Sequence, residues 1–206
     1  MSSLELFGVL SGMATVWLAT RQNIWCWPVG FVASSLFIVI FYEAKLYGAM
    51  GLQVVYLGLC IYGWYSWLHG GPQHGRLRVS RTSPRLLAAL ALGGAVTTVV
   101  LGTWLDRRTD AALPYLDAGT TSFSLVAQWL QARKRIENWA LWLAVDTIYV
   151  GMNLSRGLVL TAGLYAVYLG LAVVGFRQWR QSMRAAPLDV GGEAVAAPAA
   201  TTTGPR

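Results

Sequence analysis

The chain of 206 residues is 55% hydrophobic and only 12% charged, with ten tryptophans and nine tyrosines, whereas an ordinary soluble domain is about 25% charged. Its polar side chains are too few to cover a globule of this size, which excludes a soluble fold and identifies an all-α integral membrane protein. Sixteen lysines and arginines outnumber nine acids, but they sit in short clusters between apolar runs, the pattern of topology signals and not of a nucleic-acid surface.

Apolar runs bounded by charges or turn residues predict seven transmembrane helices of roughly 20 residues each. In chain order they cover Leu4 to Thr20, Ile24 to Tyr42, Leu46 to Leu68, Leu86 to Leu105, Ala111 to Ala132, Asn138 to Leu154 and Leu158 to Gln178. Met1 to Glu5 carries no basic residue and another span follows at once, so the first run is expected to stay as an anchor and not to be a cleaved signal. The two cysteines, Cys26 and Cys60, fall within predicted spans and form neither a disulfide framework nor a CxxC motif. The fifth span is the weakest, because Asp117, Thr120, Thr121, Ser122, Ser124 and Gln128 interrupt it. From Ala185 to Arg206 there is no periodic apolar face, and a disordered tail is expected. The organisation is thus a seven-helix domain over residues 1–184 and a tail over 185–206.

Counting Lys and Arg on the two sides of seven spans gives twelve on the side of the C-terminus and four on the other. Cytoplasmic loops hold the excess, so the N-terminus is expected outside and the C-terminus in the cytoplasm.

Shifting the sequence by 112 positions aligns Trp17–Trp67 with Trp129–Trp179 without a gap, and fifteen of the fifty-one pairs are identical. They include Trp17 with Trp129, Arg21 with Arg133, Trp27 with Trp139, Gly63 with Gly175 and Trp67 with Trp179. Membrane composition supplies leucines at random, but not tryptophan and arginine in register. Repeat one (4–68) and repeat two (111–178) are therefore duplicated three-helix units joined by a linker helix (86–105). Four helices separate equivalent spans, an even number, so the repeats are expected to be parallel, in a 3+1+3 plan with a site between them.

In the sixth helix Asn138, Trp142, Asp146, Tyr149 and Asn153 recur along one face. A carboxylate within a span is costly unless it faces a cavity or a partner, so Asp146 marks a site or a bond between helices. Trp142 is read as a stacking surface or an interfacial belt residue. The repeat-one equivalents of Asn138, Trp142 and Asp146 are Cys26, Gly30 and Ser34. That half is small, leaving room for a flat ligand or allowing close helix packing. Gln53, Tyr56 and Cys60 share a face of the third helix, and Tyr165 and Tyr168 do similar work in the seventh. Asp117, Thr121, Ser124 and Gln128, at offsets of four, three and four, make a face too polar for lipid. His69 and His74 are expected in a surface loop without HExxH, and neither GxSxG nor GxxxxGK[ST] occurs. No catalytic residue, metal site or cofactor is expected, and the chain does not read as an enzyme.

The stretches NIWCWPVGF, KLYGAMGLQVVYLGLCIYGWYSWL and SLVAQWLQARKRIENWALWLAVDTIYVG together carry a resemblance. Between about Trp17 and Trp179 the chain resembles the bacterial PnuC family of vitamin-precursor transporters. The resemblance implies a SWEET-like fold in the bacterial inner membrane, homotrimer assembly and facilitated diffusion of nicotinamide riboside, trapped inside by a cytoplasmic kinase. It implies Asn138 and Trp142 of the NWxxW element and Gln53 as ligand contacts, followed by Asp146, Tyr149 and Thr121, with Tyr56 and Tyr168 also at the site. Relatives carry riboflavin, thiamine or other nucleosides, and Cys60 and Ser66 stand where amides are expected in a nicotinamide riboside carrier. A membrane sensor or scaffold signalling through the basic loop from Gly70 to Arg85 is the alternative from another class.

Overall fold

The computed structural model describes residues 3–43, 45, 47–109 and 113–185. Seven α-helices carry the described chain: α1 (Ser3–Thr20), α2 (Cys26–Glu43), α3 (Tyr47–His69), α4 (Pro84–Arg108), α5 (Pro114–Ala132), α6 (Asn138–Ser155) and α7 (Val159–Ala185). Each expected helix is present with ends displaced by a few residues. The largest displacement is at α7, which runs seven residues past Gln178 and takes in Ala185, expected as the first residue of the tail. The rest of that tail, 186–206, and the expected start of the fifth helix at 111–112 lie outside the described residues.

Helices α1, α2, α4 and α7 are long and apolar enough to cross a membrane by length and composition. The other three fall short because they hold the polar groups: Gln53 and Ser66 in α3, the Asp117 to Gln131 stripe in α5, Asn138 and Asp146 in α6. Outward faces are apolar, with Leu92, Val100, Val159 and Leu160 more than 60% exposed, a surface that only lipid covers well.

The 112-residue shift reappears in the backbone. It carries α2 onto α6 at both ends, the last residue of α1 onto that of α5, and the first of α3 onto that of α7. The connecting turns match too. Gln22 and Lys134 both adopt left-handed φ, 54° and 49°, and so do Lys45 and Gly157, at 58° and 72°. Arg21 lies over Trp17 at 4.4 Å and Arg133 over Trp129 at 5.6 Å. Besides chain neighbours, α1 packs on α7 and α3 on α5, pairings that exchange under the shift as a two-fold pseudo-symmetry requires.

The two halves are clasped where these pairings meet. Trp179 donates its indole N–H to the carbonyl of Ala19 at 2.9 Å, and Trp67 donates to that of Gln131 at 3.0 Å. Each carbonyl lies in the last turn of a helix, and each also accepts the turn amide of Gln22 or Lys134. Such terminal carbonyls have no partner within their own helix, so each half completes the helix end of the other. Around the clasp Trp27, Trp67, Trp179 and Trp139 form a chain of edge-to-face contacts with centroids 5.4, 5.9 and 5.5 Å apart, each contributing roughly 0.5–1.5 kcal/mol beyond burial. Gly63 and Gly175 leave the room that the Trp27 and Trp139 rings fill.

The α3–α4 segment, expected only as a basic surface loop, is pinned over the α5–α6 turn. The backbone N–H of Ser80 donates to the carbonyl of Lys134, and that of Ile136 donates to the carbonyl of Ser80. Glu137 accepts from the backbone and the hydroxyl of Thr82, at 3.0 and 2.7 Å. Lys134 donates to the carbonyl of Leu77 at 2.9 Å with its ammonium 4.4 Å above Trp67. The segment then enters α4 through Ser83, whose hydroxyl caps the amide of Leu86 ahead of Pro84.

Candidate functional site

One cavity of about 800 Å³ is lined from both halves and from α4. Its wall positions occur in pairs related by the 112-residue shift: Gly12 with Ser124, Val16 with Gln128, Gly30 with Trp142, Ser34 with Asp146, Phe37 with Tyr149, Gln53 with Tyr165, Tyr56 with Tyr168. The duplicated backbone therefore frames the cavity, and the two copies face it with different chemistry. Repeat two presents two carboxylates, two indoles and phenols; repeat one presents mostly small and apolar groups. Helix α4 closes one flank with Leu101, Trp104 and Leu105.

Of the residues expected at the site, Gln53, Tyr56, Thr121, Trp142, Asp146, Tyr149 and Tyr168 all reach this wall. Asn138 does not. It is fully buried at the start of α6, its amide N–H donates to the carbonyl of Arg135, and its Oδ1 has no protein partner. The helical wheel sets Asn138 under Trp142, but α6 begins there, one turn beyond the cavity, and the indole of Trp139 stands at the wall instead.

Several of the polar groups bond to or stack on one another. Tyr56 donates to the hydroxyl of Ser124 at 2.7 Å, Tyr149 stacks on Tyr165 with centroids 4.5 Å apart, and Tyr165 meets Tyr168 edge-on. Trp142 donates its indole N–H to Oε1 of Gln131 at 3.2 Å. Asp146 is 5% exposed, and among the described residues no cation pairs with it. Asp117, the second carboxylate on the wall, lies 4.0 Å from Arg156 at the rim. No described lysine, arginine or histidine lines the cavity. Gly30 is at the wall, but a Cβ there would press on Thr15 at 3.1 Å and Cys60 at 3.3 Å, so it serves helix packing as well as cavity space.

Sequence reasoning missed Gln131. Extending the stripe of Asp117, Thr121, Ser124 and Gln128 by its own alternation of four and three reaches it.

A bundle of apolar helices around a carboxylate-bearing cavity lined from both halves defines a multi-pass membrane carrier of small molecules. The nicotinamide mononucleotide transporter family model matches residues 2–181, and the chain belongs to that family of membrane transporters. It is 29% identical over 181 residues to the riboflavin/roseoflavin transporter RibM of Streptomyces davaonensis, covering 85% of this chain and 83% of that one. It is 27% identical over 209 residues to the nicotinamide riboside transporter PnuC of Escherichia coli, covering 89% and 87%. A solved structure titled as the vitamin B3 transporter PnuC superposes with a TM-score of 0.70 at 26% identity, over 88% of this chain and 82% of that one.

Proposed function

We propose that the protein carries nicotinamide riboside across the bacterial inner membrane by facilitated diffusion, in the cavity between its two halves. The observation that carries this reading is the cavity wall, which among the described residues has an indole platform, an unpaired carboxylate at Asp146 and no basic side chain. A pyridinium is cationic and flat, so it gains both from the indole face, by roughly 0.5 to 2 kcal/mol, and from the carboxylate in a region of lowered dielectric. A phosphorylated cargo such as the mononucleotide would bring its charge against the unpaired carboxylate of Asp146, with no described basic side chain on the wall to meet it. The matching helix bounds and the exchanged clasp support a seven-span, SWEET-like 3+1+3 arrangement with parallel repeats. The charge count supports an outside N-terminus and a cytoplasmic C-terminus. The family resemblance supports a homotrimer and trapping of the cargo by a cytoplasmic kinase.

Purified protein in proteoliposomes is expected to equilibrate labelled nicotinamide riboside without any ion gradient. Strict dependence on a proton or sodium gradient would sink uniport, and the absence of flux would sink transport of this cargo.

A second cargo, riboflavin, is favoured by the likeness to RibM and by Cys60, which brings a thiol to the wall where an amide is expected. Thermal shift against nicotinamide riboside, riboflavin and thiamine separates the cargoes, because only a ligand of the folded state stabilises it.

A further inference from the structure

Gln131 occupies the last turn of α5, 6% exposed, where three features meet. Its side chain lines the cavity, its Oε1 accepts the indole N–H of Trp142, and its backbone carbonyl accepts the indole N–H of Trp67 from the other half. The equivalent of Gln131 in repeat one is Ala19, whose carbonyl accepts from Trp179 in the same way. The equivalent of Trp142 is Gly30. The backbone clasp is thus present in both halves, whereas the amide and the indole it holds occur together in one half and are together missing from the other. An indole N–H only donates, so it fixes which end of the Gln131 amide faces Trp142. The amide in turn holds the indole ring at one rotation, through a main chain already tethered across the two halves.

The geometry points to Gln131 as a positioning residue that sets the orientation of the Trp142 platform and, through it, the affinity of the cavity for flat cargo. This rests on the reading of the cavity as the cargo site. Preorganising a large ring removes the cost of ordering it when the ligand arrives. The side-chain bond is separable from the clasp, because substituting the side chain leaves the backbone carbonyl for Trp67.

The test uses the full chain labelled with 5-fluorotryptophan, the Trp142 resonance being assigned by its loss in Trp142→Phe. Gln131→Leu is expected to shift or broaden that resonance most, while Gln131→Glu, which keeps an acceptor oxygen, restores it towards the wild-type position. An unmoved Trp142 resonance in Gln131→Leu overturns the assignment. Gln131→Met, of similar length and lacking the oxygen, is the second deletion where the branched side chain impairs folding. Calorimetric titration with nicotinamide riboside and with riboflavin gives the functional reading. Gln131→Leu is expected to weaken whichever compound binds by about threefold to tenfold, the worth of one hydrogen bond. In the Trp142→Phe background, where no N–H remains to be held, it is expected to add almost nothing. Additive losses would mean that Gln131 acts on the cargo or the fold without Trp142, which also overturns the proposal. If neither compound binds the wild type, the proposed cargoes fall, while the fluorine spectrum still decides the positioning role.

Discussion

The two halves share a backbone and differ in the chemistry they turn inward. Helix ends, left-handed turns, arginine–tryptophan pairs and the indole–carbonyl clasp recur 112 residues apart. At the cavity wall, however, repeat two has Trp142 where repeat one has Gly30, Asp146 where it has Ser34 and Tyr149 where it has Phe37. The contrast separates two kinds of constraint. The clasp needs both members of each pair, because a buried indole N–H whose carbonyl is lost has no other acceptor, and the carbonyl without its indole keeps only the turn amide. The cavity wall needs only a sum: one carboxylate and one platform suffice for one cargo, and the opposite copy supplies space.

The most damaging way to break the shared frame is to empty the clasp. Trp67→Ala and Trp179→Ala remove side chains that are 3% and 0% exposed, and each is expected to cost about 3–5 kcal/mol. Thermal unfolding in detergent measures this, and a cost confined to one of the two would show that the halves share geometry without sharing stability.

Next comes the platform, which exists in one half only. Trp142→Ala is expected to weaken nicotinamide riboside binding by roughly thirtyfold, the loss of a stacked cation–π contact of about 2 kcal/mol, and Trp142→Phe by only a few fold. Equal losses from the two variants, measured by calorimetry, would mean that the ring face is not what the cargo meets.

Smaller still is the charge. Asp146→Asn, nearly isosteric, is expected to weaken the cationic riboside about tenfold, close to 1.4 kcal/mol, and neutral riboflavin much less. Normal riboside binding by a normally folded variant would reduce Asp146 to a helix-packing residue and remove the charge argument for the cargo.

The smallest effect lies in the turns. Lys134, where repeat one has Gln22, lies outside the spans, and burial lowers its pKa to about 8; Cys26 pushes the other way and Arg76 adds to the lowering. A lysine whose folded pKa lies below its unfolded value disfavours the native state while charged. Between pH 8 and about 10.4 the unfolded chain binds more protons, so stability rises with pH through that window. Lys134→Gln, which makes the second turn like the first, is expected to flatten that rise by a degree or two in the melting temperature. A wild-type profile parallel to that of the variant would contradict it.

The frame was legible in the sequence for a definite reason. Tryptophan and arginine are scarce, so their registration survives divergence, whereas leucine carries no such record. Most of the wall was legible as well, because a polar residue inside a span has few places to go. What escaped was whatever depends on the third dimension alone. Asn138 has the right spacing on its helix, but the cavity ends above it. The pinning of Ser80 and Thr82 onto the α5–α6 turn joins residues about 55 positions apart, with no periodicity to announce it. Gln131 was hidden because the stripe was read as far as Gln128 and no further.

The clasp also imposes an order on biosynthesis. Ala19 precedes the indole that completes its helix end by 160 residues. Trp67 likewise precedes its acceptor on Gln131 by 64 residues. Until α5 and then α7 are in place, the first three helices hold one unsatisfied donor and one incompletely satisfied acceptor. A chain made only as far as α4 therefore has an unfinished surface, and the arrival of Trp179 completes it.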